Sequence, residues 1–234
     1  MLRGDAAGMT VVGLDNIGKS HGAGADGLHD ISLTLETGDF CFITGARGAG
    51  KTTLLNIIAL ADKPSSGRLI LFDTEALEAD RATRSALRRR IGIVFQEPRL
   101  LDHLSVADNI GLPLRIAGTP EMEIRQHVGE LADWLGIAHR IDSGPQALSI
   151  GERKRAAAAR AIVSRPDLLI ADEPMDGVDD ETVPMLMRAF EQLHNLGTTV
   201  LVATHDLAFA RHSGHPSLHL DRGALAIADD GAAG

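Results

Sequence analysis

Two kinds of apolar pattern run along this chain. The first is short and unbroken: Phe40–Thr44 and residues 91–95, 168–171 and 198–203 are apolar or β-branched at nearly every position. A strand covered on both faces needs such a run. Residues 68–72 read as a further strand. Residues 10–14 and 31–35 read as two more, joined by a stretch rich in glycine at 22–27. The second pattern has helical period. In residues 121–135, Ile124, Val128, Leu131 and Leu135 recur at spacings of four, three and four, which lines one face of a helix. Residues 52–60 read as a buried helix, and the whole region 105–161 is helical in pattern.

Strands that alternate with helices indicate a mostly parallel α/β sheet. The chain is read as one domain over residues 10–234, with a sheet core at 10–96 and 163–234, a helical lobe inserted at 97–162, and a loose leader at 1–9. No apolar stretch approaches the roughly 18 residues that cross a membrane, and the longest, residues 54–61, is far shorter. The first eight residues carry one Arg and no apolar core, so no secretion signal is expected there. The expectation is a cytoplasmic protein that reaches the inner face of a membrane only through a partner.

Composition narrows the classes. Lys and Arg total 23 against 32 Asp and Glu, a net charge of −9, which opposes non-specific binding to nucleic acid. Aromatic residues are 3%, with no Tyr and one Trp, too few for a base-stacking platform. A single cysteine excludes an internal disulfide framework and suits a reducing compartment; in its apolar run, Cys41 reads as core.

The sharpest chemical signal is Gly45-Ala46-Arg47-Gly48-Ala49-Gly50-Lys51-Thr52, followed by Thr53, set between a strand and a helix. This is the P-loop pattern. Its glycines let successive N–H groups face phosphate oxygens, and the helix start adds partial positive charge. Lys51 is expected to reach the β- and γ-phosphates, and the Thr52 hydroxyl to coordinate Mg²⁺. The second signal is Asp172-Glu173 at the end of an apolar strand. The first acid can hold the Mg²⁺ shell and the second can polarise the attacking water; a helix cap is the plainer use of such acids. The third is Ser149-Ile150-Gly151-Glu152, which opens a helix. Ser-x-x-Glu is the spacing of a capping box, and the same helix start is also an anion site.

With these motifs in place the chain resembles the nucleotide-binding subunit of ABC transporters over essentially its whole length. Gln96 stands where the family has its Q-loop glutamine, and Ser149 to Glu152 where it has its signature motif. Asp179 matches the D-loop, and His205, in Ala203-Thr204-His205-Asp206, matches the switch histidine. The resemblance implies a P-loop NTPase core of RecA type with a mostly parallel sheet, an N-terminal antiparallel β subdomain and an inserted helical lobe. It implies ATP and Mg²⁺ as cofactors, with Thr52, Asp172 and Gln96 toward the metal, Glu173 as base and His205 supporting it. It also implies a homodimer on ATP binding, in which Ser149, Gly151, Glu152 and Asp179 of one copy complete the other copy's site.

Two positions depart from the family pattern. Ile150 stands where the signature usually has Gly, which restricts the backbone there. The aromatic residue that stacks on adenine is replaced by His21, a weaker stacking partner or an ordinary loop histidine.

Within the family, residues 91–118 look most like the FtsE-type cell-division branch, whose ATPases act with an integral membrane partner of FtsX type. Branches serving lipoprotein release or small-molecule transport have very similar motifs. The family's groove for the partner's coupling helix would fall at residues 96–104, where Pro98, Leu100 and Leu101 either face the partner or pack in the lobe. Arg81, Arg84, Arg88, Arg89 and Arg90 form a basic cluster that is either a solvated helix face or a surface for anionic lipid. Two other classes fit less well. Soluble ABC ATPases acting on DNA or ribosomes usually carry long insertions or a second cassette, and a GTPase would need an Asn-Lys-x-Asp motif, which is missing from the sequence.

Overall fold

The computed structural model describes residues 8–20 and 27–226. In chain order the elements begin with strands β1 (Thr10–Lys19), β2 (Leu28–Glu36) and β3 (Phe40–Thr44), then helix α1 (Lys51–Ile58). Next come β4 (Ser66–Leu71), β5 (Thr74–Glu75), α2 (Arg81–Arg89) and β6 (Ile91–Val94). The helical region holds α3 (Val106–Ala117), α4 (Glu121–Trp134), short 3-10 turns at Ala138–Arg140 and Pro145–Ala147, and α5 (Ile150–Ile162). The last part is β7 (Leu168–Asp172), α6 (Thr182–Asn195), β8 (Thr199–Thr204), α7 (Leu207–His212), β9 (Ser217–Asp221) and β10 (Ala224–Ala226).

The strands form two sheets. One is antiparallel in the order β2-β1-β4-β5. The other has the order β10-β9-β3-β8-β7-β6 and is parallel except for the β9–β10 edge hairpin. Strands β3, β7 and β8 are buried at every position, as their unbroken apolar runs require. Their two faces feed two cores. Phe42, Leu169 and Val202 point to the side of α3, α5 and α6, while Ile43, Ile170 and Leu201 point to the side of α1 and the antiparallel sheet.

Helix α5 sits close against the sheet because its inner residues are small: Ala156, Ala158 and Ala159 are fully buried. The strand beneath yields too, since a Cβ at Gly92 would lie 2.2 Å from the Ala161 carbonyl oxygen. Helix α3 starts at Ser105, whose hydroxyl accepts from the Asp108 N–H, and ends at Gly118 in the left-handed region.

Several bounds differ from the sequence reading for local reasons. β1 runs five residues past 14, to Lys19, and β2 starts three residues before 31, at Leu28, through register shifts that break the apolar alternation. The helix expected at 52–60 stops at Ile58, with Leu60 in the left-handed region beyond it. Phe72, expected in a strand, stands in the β4–β5 turn, likewise left-handed. The β9–β10 hairpin ends one side of the mostly parallel sheet: β9 is apolar only at alternate positions, Leu218 and Leu220, and β10 is three residues long and mostly exposed. Among the described residues no helix is long and apolar enough to cross a membrane.

Candidate functional site

Strand β3 delivers the chain into a glycine loop that wraps the start of α1. Gly45 has no alternative there, because a Cβ would lie 2.2 Å from the Leu220 carbonyl oxygen. Gly50 caps α1 in the left-handed region with no side-chain cap, and the first turn carries no acid. The helix start is thus left to an anionic ligand. Lys51 is 5% exposed. Its Nζ donates to the carbonyls of Gly45 at 2.7 Å and Ala46 at 3.2 Å, and lies 3.2 Å from Glu173 Oε1. Lys51, Thr52, Thr53, Gln96 and Glu173 line one recess of about 350 Å³, with Arg47, Gly48 and Gly50 at its P-loop side.

Two acids meet this loop from the end of β7. The Thr52 hydroxyl donates to Asp172 Oδ2 at 2.8 Å, while the buried Asp172 Oδ1 has no hydrogen-bond partner among the described residues. Burial pushes the Asp172 carboxyl up, against the pull of the Thr52 hydrogen bond. A hydroxyl beside a carboxylate with a spare buried oxygen is the donor set a hard divalent cation takes. Gln96 lines the same space as Thr52 and Asp172. Magnesium therefore fits these residues.

Glu173 follows with φ 44°, an uncommon backbone for a non-glycine residue. Its N–H donates to the Ala203 carbonyl at 2.9 Å, which ties it to β8. Its Oε2 accepts from the His205 N–H at 3.1 Å and lies 2.9 Å from His205 Nδ1. The carboxylate is thereby held between Lys51 and His205, at the wall of the recess.

Ser149, Gly151, Glu152 and Asp179 lie elsewhere, and none lines the recess. The capping box is present: the Glu152 N–H donates to Ser149 Oγ at 3.2 Å, and the Ser149 N–H to Glu152 Oε2 at 2.7 Å. That backbone hydrogen bond first, then the Arg140 side chain, lowers the Glu152 carboxyl to about 2. Ser149 is exposed and Ile150 is 56% exposed. A Cβ on Gly151 would stand 2.7 Å from Thr182 Oγ1 and 2.8 Å from Asp179 Oδ2. The chain thus holds two separate features: a phosphate loop with its acids, and a helix start, exposed at Ser149 and Ile150, whose Gly151 packs against Asp179. His21 lies outside the described residues.

The loop at 96–104 is fastened rather than loose. Arg160 donates to the Pro98 and Arg99 carbonyls at 2.7 and 2.8 Å. Buried Asn109 accepts from the Leu101 N–H and donates to the Leu101, Leu104 and Ser105 carbonyls. Leu100 packs on the core, as the second alternative above has it, and Leu101 is exposed. Of the arginine cluster, Arg90 is taken up by Asp167 and by the Phe72 ring.

The sequence motifs do not single out Lys154, whose Nζ donates to the Glu173 carbonyl at 2.7 Å; Arg47, read in the P-loop, pairs with Asp176 at 3.2 Å. Helical spacing held a signal for Lys154, which shares the inner stripe of α5 with Gly151 and Ala158.

Comparison with known proteins agrees with this geometry. Residues 28–176, more than half of the chain, match the family model described as ABC transporter. The cell division ATP-binding protein FtsE of Escherichia coli (strain K12) is 34% identical over 92% of this chain and 97% of its own. The methionine import ATP-binding protein MetN of Xanthomonas axonopodis pv. citri is 36% identical over 85% of this chain and 59% of its own. Among solved structures, the dimeric ATP-binding cassette MJ0796, in a post-hydrolysis state bound to ADP and Pi, superposes with a TM-score of 0.86. It is 31% identical over 92% of this chain and 97% of that one.

Proposed function

The chain belongs to the ABC transporter family of ATP-binding subunits, and from that premise we propose that it serves an FtsE–FtsX-type complex in bacterial cell division. There it would couple a nucleotide-driven homodimer to the control of peptidoglycan hydrolases across the membrane. The match to FtsE, which runs nearly end to end in both chains, supports this branch. The ATPase of a lipoprotein-release or small-molecule transporter is the second reading, favoured by the comparable identity to MetN.

In the proposed cycle ATP lies along the P-loop, with its phosphates against the N–H groups of residues 45–53 and the uncapped start of α1. Lys51 turns from the Gly45 and Ala46 carbonyls toward the phosphates. Bound at Thr52, Asp172 and Gln96, Mg²⁺ would neutralise charge on the phosphate oxygens. Glu173 accepts a proton from the attacking water, and His205 orients its carboxylate. The observation that carries the dimer is the exposed start of α5. Ser149 is exposed and neither it nor Gly151 lines its own chain's recess, which supports their closing over the γ-phosphate of a second copy. Donors that arrive from another chain are worth about 10³–10⁵ in rate in GTPases.

The test mixes two inactive variants. Lys51→Ala chains combined with Ser149→Ala chains should recover turnover, because one of the two composite sites is intact in each mixed dimer. No recovery from two folded variants refutes the shared site. Co-purification with a four-helix membrane protein carrying an extracytoplasmic domain separates the division role from transport.

A further inference from the structure

Lys154 is a buried ammonium that the catalytic scheme above does not use. It lies inside α5, five residues beyond Ser149 and about 7.5 Å along the helix axis. It is 3% exposed, in a stretch where its inward neighbours are alanines. A buried cation costs free energy unless it is compensated. Compensation comes from Asp172, Glu173 and Asp176, whose charges favour the ammonium while burial pushes its pKa down. Its Nζ donates to the carbonyl of Glu173, at 2.7 Å, which also accepts from the Asp176 N–H at 3.2 Å. Glu173 is the residue with φ 44°, and its own N–H, on the other side of its Cα, is fixed by the Ala203 carbonyl of β8. The backbone of Glu173 is therefore held from both sides, by the sheet at its nitrogen and by α5 at its oxygen.

We infer that Lys154 is a positioning residue for Glu173: through the Glu173 carbonyl it sets the carboxylate between Lys51 and His205, and it braces the half-site that serves the second copy against the base of its own site. This rests on the reading of Glu173 as the base. Lys154 touches no reacting atom and acts through a peptide group. The helix that presents Ser149 and the residue that activates water are joined by one side chain, so a shift of α5 is felt at the carboxylate. A displacement of the order of 1 Å at a reacting group costs up to about a hundredfold in rate.

The experiment compares Lys154→Met, Lys154→Arg and Glu173→Gln in the full chain, by steady-state ATPase, ATP affinity and thermal unfolding. Lys154→Met keeps the length of the side chain and removes the donor. It should lower kcat about ten- to hundredfold while ATP affinity stays within about twofold of the parent's. Lys154→Arg, which keeps a donor and a charge, should recover much of the loss. Lys154→Met in the Glu173→Gln background should cost little more, because both changes act through one group. Turnover of Lys154→Met within about twofold of the parent overturns the role, as does a loss carried by ATP affinity and unfolding temperature that arginine does not rescue. If Glu173→Gln itself turns over like the parent, the assignment of the base falls and this inference with it. If Glu173→Gln is inactive and Lys154→Met is normal, only the brace is wrong.

Discussion

Replacing Gly151 with alanine puts a methyl group where two oxygens already stand. The new Cβ would lie 2.7 Å from Thr182 Oγ1 and 2.8 Å from Asp179 Oδ2, against an ordinary contact distance that starts at 3.4 Å. Something must retreat by about 0.6–0.7 Å, and the local packing decides what. Thr182 is fully buried and cannot move away, whereas Asp179 is exposed and can swing outward. That swing breaks the 2.8 Å hydrogen bond from the Thr182 N–H to Asp179 Oδ1 at the start of α6. A lost hydrogen bond of this kind costs about 1 kcal/mol, and overpacking costs about 1–3 kcal/mol. Together these are about 2–4 kcal/mol, and for a chain of this size the expected fall in Tm is about 4–16 °C. Turnover should fall as well, since Asp179 leaves the place it occupies behind the signature helix. Thermal melts and steady-state ATPase read both effects. Adding Asp179→Ala removes one of the two oxygens and should return at least about 0.5 kcal/mol of the stability loss, as expected for residues in contact. A Tm within about 1 °C of the parent, or strict additivity in the double variant, refutes the argument from close approach.

Three other outcomes are expected. Lys51→Ala should abolish ATP binding or leave it very weak by equilibrium titration, because it removes the cation aimed into the recess; Kd unchanged from the parent contradicts its role. Glu173→Gln should bind ATP normally, turn over about 10²–10⁴ times more slowly and elute as an ATP-bound dimer on size exclusion. Glu152→Gln weakens the α5 cap and should cost about 1 kcal/mol in denaturant unfolding at neutral pH. The folded carboxyl of Glu152 is lowered to about 2 from an ordinary 4.5. Its stabilisation is therefore complete above about pH 4.5 and is lost as pH falls from there toward 2. The gap between parent and variant should close over that range, and a constant gap contradicts it.

The parts of the fold that were legible in the sequence are those where one local property decides the outcome. β3, β7 and β8 are buried on both faces, so an unbroken apolar run was enough to find them. The P-loop is a contiguous motif, and the structure sets it between β3 and α1 as its sequence requires. Ser149 and Glu152 offered two readings, a capping box and a trans half-site. The box is present in the geometry, and the two uses are compatible, since capping is what holds the helix start in place. What stayed hidden depends on contacts between distant segments. Neither the burial of Lys154 nor its reach to Glu173 follows from α5 alone, and the approach of Gly151 to Asp179 joins segments 28 residues apart in sequence. Strands β9 and β10 escape the apolar-run criterion because β9 alternates Leu218 and Leu220 with polar residues and β10 is only three residues long.

The grip of Arg160 on the Pro98 and Arg99 carbonyls has a mechanical consequence. Arg160 and Ser149 are at opposite ends of the same helix, about 16 Å apart along its axis. Helix α5 holds no proline and no glycine after Gly151, so it has no joint to absorb a load between those ends. A push on the loop at 98–99 from outside the chain would travel to Ser149 as the displacement of a stiff lever, with its fulcrum where Lys154 meets Glu173. One rod would then touch three places at once: the carbonyls of Pro98 and Arg99, the carbonyl of Glu173, and the exposed Ser149 at its own start.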